Sequence, residues 1–381
     1  NINDYISTGS ERSSSEATWQ PRIGFSYFLT EDSKHLLFGG FGRSYDRNRF
    51  DFLQLETTKG TFPRRTVFFS GDHLQPCNDP CIAFDPLFLT DGGFNNLQAV
   101  GGSREVFLLN NDLQQPYADQ FSLGVRSIFD EFETEVGFTR VETKNGFMWQ
   151  LGNRRPDGTF FAPDATWGAP WGDAIPGASL STLILGTNGL ESERNSFHVK
   201  LTKVHRPDSQ WGAALTYTYS DATENRQFGE AFSLDYPTID GFGTNASAGV
   251  SDHVIVANVT YDLPMDIKLA TKLTLKSAAP FYGVDCRAGW SDCKFSQGYQ
   301  DEKSFIVGDW AFRQIDLSLS KNFNFADSGG MYVRLDVLNL LDTRNYGVSD
   351  TWFGAPGETN ENLGNANNIL SGPTRTIKLS V

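Results

Sequence analysis

The sequence contains no long apolar run, and this absence excludes a helical membrane span. A membrane-spanning helix needs about 20 mainly apolar residues, and no such stretch occurs among the 381 residues. The mean hydropathy is −0.36. Apolar residues do not recur with a period near 3.6, which is the pattern of an amphipathic helix. Both absences disfavour a helical protein.

Positive charge is scarce relative to negative charge. The chain has 32 Lys and Arg against 46 Asp and Glu, which gives a net charge of −14 and a pI near 4.8. Proteins that bind nucleic acid neutralise phosphates with a basic surface. We therefore expect no nucleic-acid partner.

Catalytic and cofactor motifs are also missing. No Gly-x-Ser-x-Gly elbow occurs, and the five histidines form no zinc motif. These histidines are His35, His73, His198, His205 and His253. The pair Glu133 and Glu135 could suggest hydrolysis, but side chains beside a turn are better explained as solvated rim charges. Loop carboxylates Asp235 and Asp240 lack the spacing of an EF-hand. We expect neither enzymatic activity nor a cofactor.

Cysteine is rare, and its four copies fall in two close pairs. Cys77 is near Cys81, and Cys286 is near Cys293. Neither pair has a neighbouring histidine to complete a zinc site. The spacing therefore predicts two local disulfides, formed in an oxidising compartment.

The sequence is rich in stretches of about ten residues that alternate between apolar and polar side chains. From Gln120 to Phe129, Phe121, Leu123 and Val125 share one parity, whereas polar or small residues occupy the other. Successive side chains of a β-strand point to opposite faces. Aromatic residues make up 13% of the chain, which also favours strands.

Eleven such segments are separated alternately by short turns and long loops. This asymmetry is typical of antiparallel barrels in the bacterial outer membrane, where only every second residue meets lipid. We therefore predict an all-β protein in contact with outer-membrane lipid and lipopolysaccharide. The predicted strands are about Pro21–Leu29, Lys34–Tyr45, Pro116–Phe129, Phe132–Lys144, Arg194–His205, Trp211–Thr223, His253–Tyr261, Ile267–Ala278, Arg313–Phe323, Met331–Leu341 and Thr374–Val381.

The strand count predicts that residues 1–381 are one part of a larger barrel. The first and the last strand must both run towards the short turns, so the number of predicted strands is odd. Single-chain bacterial barrels have an even number of strands. At least one strand is then expected before Asn1, and eleven is half of the 22 strands of plugged transporters. A strand overlooked at Arg65–Phe69 or Val106–Leu109 would change this count.

The charged residues of the strands predict which face is wet. Lys268, Lys272 and Lys276 alternate with leucines in one strand. A lysine that faces lipid at the midplane costs roughly 2–4 kcal/mol, so these three are expected to face the lumen or to snorkel near a rim. The same argument places six further residues there: Arg126, Lys200, Asp316, Arg334, Asp336 and Lys378.

The long loops are expected to form a functional surface, because structureless loops longer than about 15 residues are uncommon in compact domains. Five tryptophans in these loops are candidate ligand contacts: Trp149, Trp167, Trp171, Trp290 and Trp352. Loop packing and an interfacial aromatic belt are alternative roles for them.

A series of motifs resembles the C-terminal barrel of TonB-dependent outer-membrane receptors. They are PRIGFSYFL, FGGFGRSYDR, PYADQFSLGVR, GNRRPDG, TNGLESERNSFHVKLTK, WGAALTYTYSDATENR and VRLDVLNLLDTRNYG. The Oar-like receptors, which have a carboxypeptidase-regulatory-like domain, are the most similar subclass. Family members usually end on an aromatic residue, whereas this chain ends at Val381.

The resemblance implies a 22-stranded barrel closed by its own plug domain and coupled to the TonB–ExbB–ExbD complex. Energised uptake of a scarce peptide, glycan or chelate would follow, in the outer membrane of a Gram-negative bacterium. Two alternatives stay open: a passive porin, and an adhesion or assembly protein that acts through its loops.

Overall fold

The computed structural model describes most of the chain. The described residues are 2–6, 12, 17–47, 50–62, 69–70, 82–90, 92–93, 104–155, 157–162, 171–172, 175, 180–225, 232–233, 243–289, 294–299, 311–325, 329–346, 350–363 and 370–381.

Eleven antiparallel strands lie side by side in chain order and form one continuous sheet, which we call the wall. Each strand pairs with the next strand of the chain, as expected for consecutive hairpins. The strands are β1 (Arg22–Phe28), β2 (His35–Tyr45), β3 (Tyr117–Phe129), β4 (Phe132–Leu151), β5 (Leu180–Lys203), β6 (Trp211–Glu224), β7 (His253–Leu263), β8 (Ile267–Lys276), β9 (Phe312–Phe325), β10 (Gly329–Leu338) and β11 (Thr376–Ser380).

The connections alternate between short and long, as the sequence predicted. Segments 29–34, 130–131, 204–210, 264–266 and 326–328 join strands at one end, which we call the short-turn end. Segments 46–116, 152–179, 225–252, 277–311 and 339–375 emerge at the opposite, long-loop end. The prediction of eleven strands in this order is confirmed.

The wall is open within the described residues. Among the described strands, β1 pairs only with β2, and β11 pairs only with β10. All the side chains of β1 are exposed, including Ile23 at 76%. Both lateral edges of the sheet therefore keep unpaired backbone groups.

The strand register sorts the side chains into an apolar and a polar face. Val125, Val136, Val199, Tyr217 and Ile255 are successive partners across β3 to β7, so they lie in one row on the apolar face. Val136 and Val199 are 42% and 37% exposed. A row of exposed aliphatic side chains is unfavourable in water, and it suits contact with lipid.

Two strands are longer than the sequence predicted. β4 continues to Leu151 and β5 begins at Leu180, and their outer ends stay paired with each other. A strand needs only about 9–11 residues to cross a bilayer, so this ladder projects beyond it. The pairing shifts register between Thr143 and Gly146, where Asn145 has a φ of 58°.

The longest loop contains elements that alternating patterns did not predict. Helix α1 (Phe50–Thr61) and the strand Arg104–Leu109 both fall in the segment between β2 and β3. Val106–Leu109 is thus a strand, as considered above, but it pairs in parallel with β5 at the projecting end instead of adding to the wall. Most of Arg65–Phe69 lies outside the described residues. No described helix is long and apolar enough to cross a membrane.

Candidate ligand-binding surface

An aromatic core joins three loop segments at the long-loop end. We call this unit the aromatic lobe; it comprises α1, Arg104–Leu109 and the projecting ends of β4 and β5. Trp149 lies at its centre, with ring centroids 4.9 Å from Phe147 and 5.0 Å from Phe107. Phe52 of α1 stacks on Phe147 at 5.4 Å. Burial of several large rings explains why the loop adopts a fixed structure here.

Ion pairs hold the N-terminal segment and α1 to the aromatic lobe. Arg12 contacts both carboxylate oxygens of Glu56, at 2.5 and 2.9 Å, and donates to the carbonyl oxygen of Leu109 at 2.7 Å. The hydrogen bond to Glu56 raises the pKa of Arg12 above its ordinary value, despite burial. Lys59 pairs with Glu105 at 2.5 Å. Segments far apart in the sequence are therefore fixed together.

A second assembly, the three-loop sheet, connects the loops on the other half of the wall. It consists of the strands Pro280–Asp285, Lys294–Tyr299 and Trp352–Gly354. Val284 pairs in parallel with Trp352, which joins the last two long loops. The hydroxyl of Tyr282 donates to the carbonyl oxygen of Ala246 at 2.6 Å, so the loop after β6 is attached as well.

The structure places the loop tryptophans in different surroundings. Trp149 is wholly buried, and its ring offers a ligand no surface. The role of Trp149 is loop packing, so the expectation of a ligand contact is corrected at this position. Trp171 is half-buried and stacks on Phe160 at 6.2 Å. Trp352 is 38% exposed. Trp167 and Trp290 lie outside the described residues.

The predicted disulfides fall largely on undescribed positions. Cys286 is 2% exposed, and its backbone N–H donates to the carbonyl oxygen of Gly354 at 3.2 Å. Cys77, Cys81 and Cys293 lie outside the described residues, so both pairings stay predictions. Asp235 and Asp240 are also undescribed. Within the described residues, no cluster of three or more His, Cys, Asp or Glu side chains could hold a metal ion.

The nine charged residues expected in the lumen share the polar face of the wall. Arg126 and Lys200 lie in one row with Glu135 between them. Lys272 lies opposite Asp316, and Asp336 opposite Lys378. The register assigns all nine to this face: Arg126, Lys200, Lys268, Lys272, Lys276, Asp316, Arg334, Asp336 and Lys378.

A compact ion network lies on the polar face of β3 to β5. Arg126 reaches Glu135 at 2.8 Å and Glu133 at 3.4 Å, and Nε2 of His198 lies 3.1 Å from Glu135. The Glu135 side chain is only 16% exposed, so it is part of this network and not a freely solvated rim charge. The sequence identified the face of these residues but not their contacts.

Two facing glycines provide room beside that network. Gly124 and Gly137 are direct partners, with the Phe38 ring beside Gly124 and the His198 ring beside Gly137. A Cβ atom on Gly124 would lie 2.5 Å from Cζ of Phe38. The absence of side chains at both positions therefore lets the two rings pack against the backbone.

Residues 7–272 match the family model described as the outer membrane beta barrel domain. The fold is similar to the outer membrane transporter YddB from Escherichia coli, with a TM-score of 0.57 and 12% identity over 94% of this chain and 39% of that one. It is also similar to the FrpB iron transporter from Neisseria meningitidis, with a TM-score of 0.50 and 12% identity over 94% of this chain and 38% of that one. No curated protein matches the sequence.

The open wall and its two faces thus define a membrane β-barrel protein. The chain belongs to the outer membrane beta barrel domain family, and it resides in the outer membrane of a Gram-negative bacterium. It spans well under half the length of the two transporters. The predicted fold class and location are confirmed.

Proposed function

We propose that this chain is the C-terminal part of a TonB-dependent outer-membrane transporter, of Oar-like type, that takes up a scarce ligand. The observation that carries the proposal is an eleven-stranded wall, open at both edges, that matches a fraction of a longer transporter. YddB and FrpB are both described as transporters, which favours transport over catalysis.

The open edges support a larger barrel. Exposed N–H and C=O groups in hydrocarbon cost several kcal/mol each, so lipid-embedded sheets close completely. β1 and β11 run in the same direction, because both lead towards the short-turn end. Direct pairing between them would be parallel, unlike every other neighbouring pair of the wall. Further strands on these edges, for a total of 22, satisfy the antiparallel pattern.

The two faces suggest how such a barrel acts. The apolar face contacts outer-membrane lipid and lipopolysaccharide, while the polar face lines a lumen that holds the protein's own plug domain. The aromatic lobe and the three-loop sheet capture the ligand, with the exposed Trp352 as a contact residue. Energy from TonB–ExbB–ExbD then moves the plug. A peptide, a glycan or a chelate would be the ligand.

The decisive experiment measures energised uptake in the native host. We expect cells that lack the complete gene to lose accumulation of one nutrient class, and expect a protonophore to abolish the same uptake in wild-type cells. The control is a strain complemented with the full-length gene. Uptake that persists with the protonophore would indicate a passive porin. A mature protein with an intact mass near 42.3 kDa would contradict the proposal, because no mass would remain for a plug.

A further inference from the structure

Cations outnumber carboxylates on the polar face of β7 to β11. The cations by register are Lys268, Lys272, Lys276, Arg334 and Lys378. The carboxylates on the same face are Asp262, Asp316 and Asp336. This excess contrasts with the net charge of −14 of the chain as a whole. The surface is therefore locally suited to anions.

The carboxylates nearest to the lysines are engaged elsewhere. Asp262 is the strand partner of Lys268, but its Oδ2 lies 2.7 Å from Nε2 of His205. Asp316 is the partner of Lys272, but its Oδ1 accepts the backbone N–H of Asn339 at 2.9 Å. Within the described part of the chain, neither lysine forms an ion pair.

The three lysines of β8 form a row along the polar face. Lys276 is closest to the long loops, followed by Lys272 and Lys268 at intervals of four residues. At about 3.4 Å per residue, neighbouring lysines are roughly 14 Å apart and the row spans roughly 27 Å. Nζ of Lys276 lies 5.1 Å from the ring centroid of Phe312. Positive charge thus extends from the long-loop end towards the short-turn end.

A cavity lies at the lower end of this row. It has a volume of about 340 Å³, and its polar lining consists of Lys268, Arg334, Tyr332, Ser318, Ser320, Thr260, Tyr261 and the paired His205 and Asp262. Nε of Arg334 donates to Ser318 at 3.1 Å and to Asp336 at 2.8 Å. Lys268, which forms no ion pair within the described residues, and the hydroxyl groups are donors that carboxylate and phosphate groups require, and Arg334 has further N–H groups besides the Nε–H that it donates to Asp336.

We propose that this cavity binds a small solute bearing carboxylate or phosphate groups, and that Lys276 and Lys272 form its approach. The proposal rests on the proposed function, because the polar face must line a lumen. It also narrows the substrate class: the transported ligand is an anion, such as an acidic chelate or an acidic peptide, and not a neutral glycan.

Binding to the purified protein tests this assignment. The full-length mature protein in detergent micelles is titrated calorimetrically with citrate and, separately, with inorganic phosphate. We expect saturable binding to the wild type, and affinity lower by roughly tenfold in K268Q and R334Q, because each variant removes one charge-assisted contact. K268R is expected to restore binding. Higher salt should weaken binding to the wild type.

K321Q is the matched control, because Lys321 belongs to the neighbouring strand but lies on the apolar face, where it is the partner of Ile267. It should bind as the wild type does. Equal affinity in wild type and K268Q, or no saturable binding to the wild type, overturns the proposal. A third outcome is that neither protein binds the anions and K268Q melts at a lower temperature than the wild type. It would mean that an acidic group of the protein itself fills the cavity, and it also overturns the proposal. These titrations need no energy source. A failure to bind anions would therefore leave the proposal of energised uptake unaffected.

Discussion

The side-chain amide of Asn188 donates to the carbonyl oxygen of Asn145 at 2.6 Å, at the point where the β4–β5 ladder shifts register. The same amide donates to the carbonyl oxygen of Gln114 at 2.9 Å, and its Oδ1 accepts the N–H of Gln114 at 2.7 Å. Two of these hydrogen bonds fix the base of the projecting ladder to the segment that leads into β3, and the third joins β5 to β4.

Replacing Asn188 with Ala should loosen the projecting ladder and leave the wall intact. Each lost hydrogen bond contributes about 1 kcal/mol, so amides of residues 146–151 and 184–190 should exchange hydrogen at least tenfold faster. Hydrogen exchange followed by mass spectrometry measures this. The control N258A changes an exposed asparagine of β7 and should have no effect. Faster exchange across the whole of β4 would contradict a local role.

Replacing Trp149 with Ala should disrupt the aromatic lobe. The wholly buried ring leaves a large cavity, and such substitutions cost about 3–5 kcal/mol. Limited proteolysis should then cleave within α1 and residues 104–109, while the strands of the wall stay protected. W352A removes a partly exposed ring and should leave the proteolysis pattern unchanged. An unaltered pattern for W149A would mean that the lobe does not depend on this core.

Substituting Gly124 with Ala should strain the polar face. The new Cβ would lie 2.5 Å from Cζ of Phe38 and 3.0 Å from the carbonyl oxygen of Val136, so backbone as well as side chain must shift. Overpacking of this kind costs about 1–3 kcal/mol, which thermal unfolding in micelles would detect. At Gly42 the nearest atom is 3.6 Å away, so G42A should unfold close to the wild-type temperature.

Introducing lysine at Val199 should destabilise the inserted barrel. Val199 lies in the middle rows of the apolar face, where a lysine costs roughly 2–4 kcal/mol. T139K places the same charge on the polar face and should be tolerated, because the strand partners of Thr139 are the uncharged Ser122 and Ser196. Reversible unfolding from lipid vesicles compares the two. Similar losses in both variants would show that the faces have been assigned wrongly.

The wall was predictable because each strand contacts only its neighbours and needs one apolar face. The alternating pattern around Val125 and Val199 therefore revealed both the strands and their orientation. It failed above Lys144, because the register shift near Asn145 interrupts the two-residue period. Helix α1 was missed for another reason: its stability comes from contacts with Phe107 and Phe147, which are distant in the sequence.

The candidate site was predictable in part, because the need for one apolar face also determines which side chains lie on the opposite, polar face. A charge in lipid is so costly that the polar face followed from the position of Lys268 and its neighbours alone. The contacts of these charges did not follow, because a strand partner is not always the ion-pair partner. Asp262 pairs with His205 instead of Lys268. The sequence left ligand contact, loop packing and an aromatic belt open for Trp149, because exposure depends on tertiary packing, which local sequence does not encode.

The shared core of the aromatic lobe limits how this protein can change its ligand during evolution. A recombination event that exchanged only the β4–β5 loop would separate Trp149 from Phe107 and from α1. Variation is then confined to coordinated replacement of several segments, or to surface positions that leave the ring cluster undisturbed.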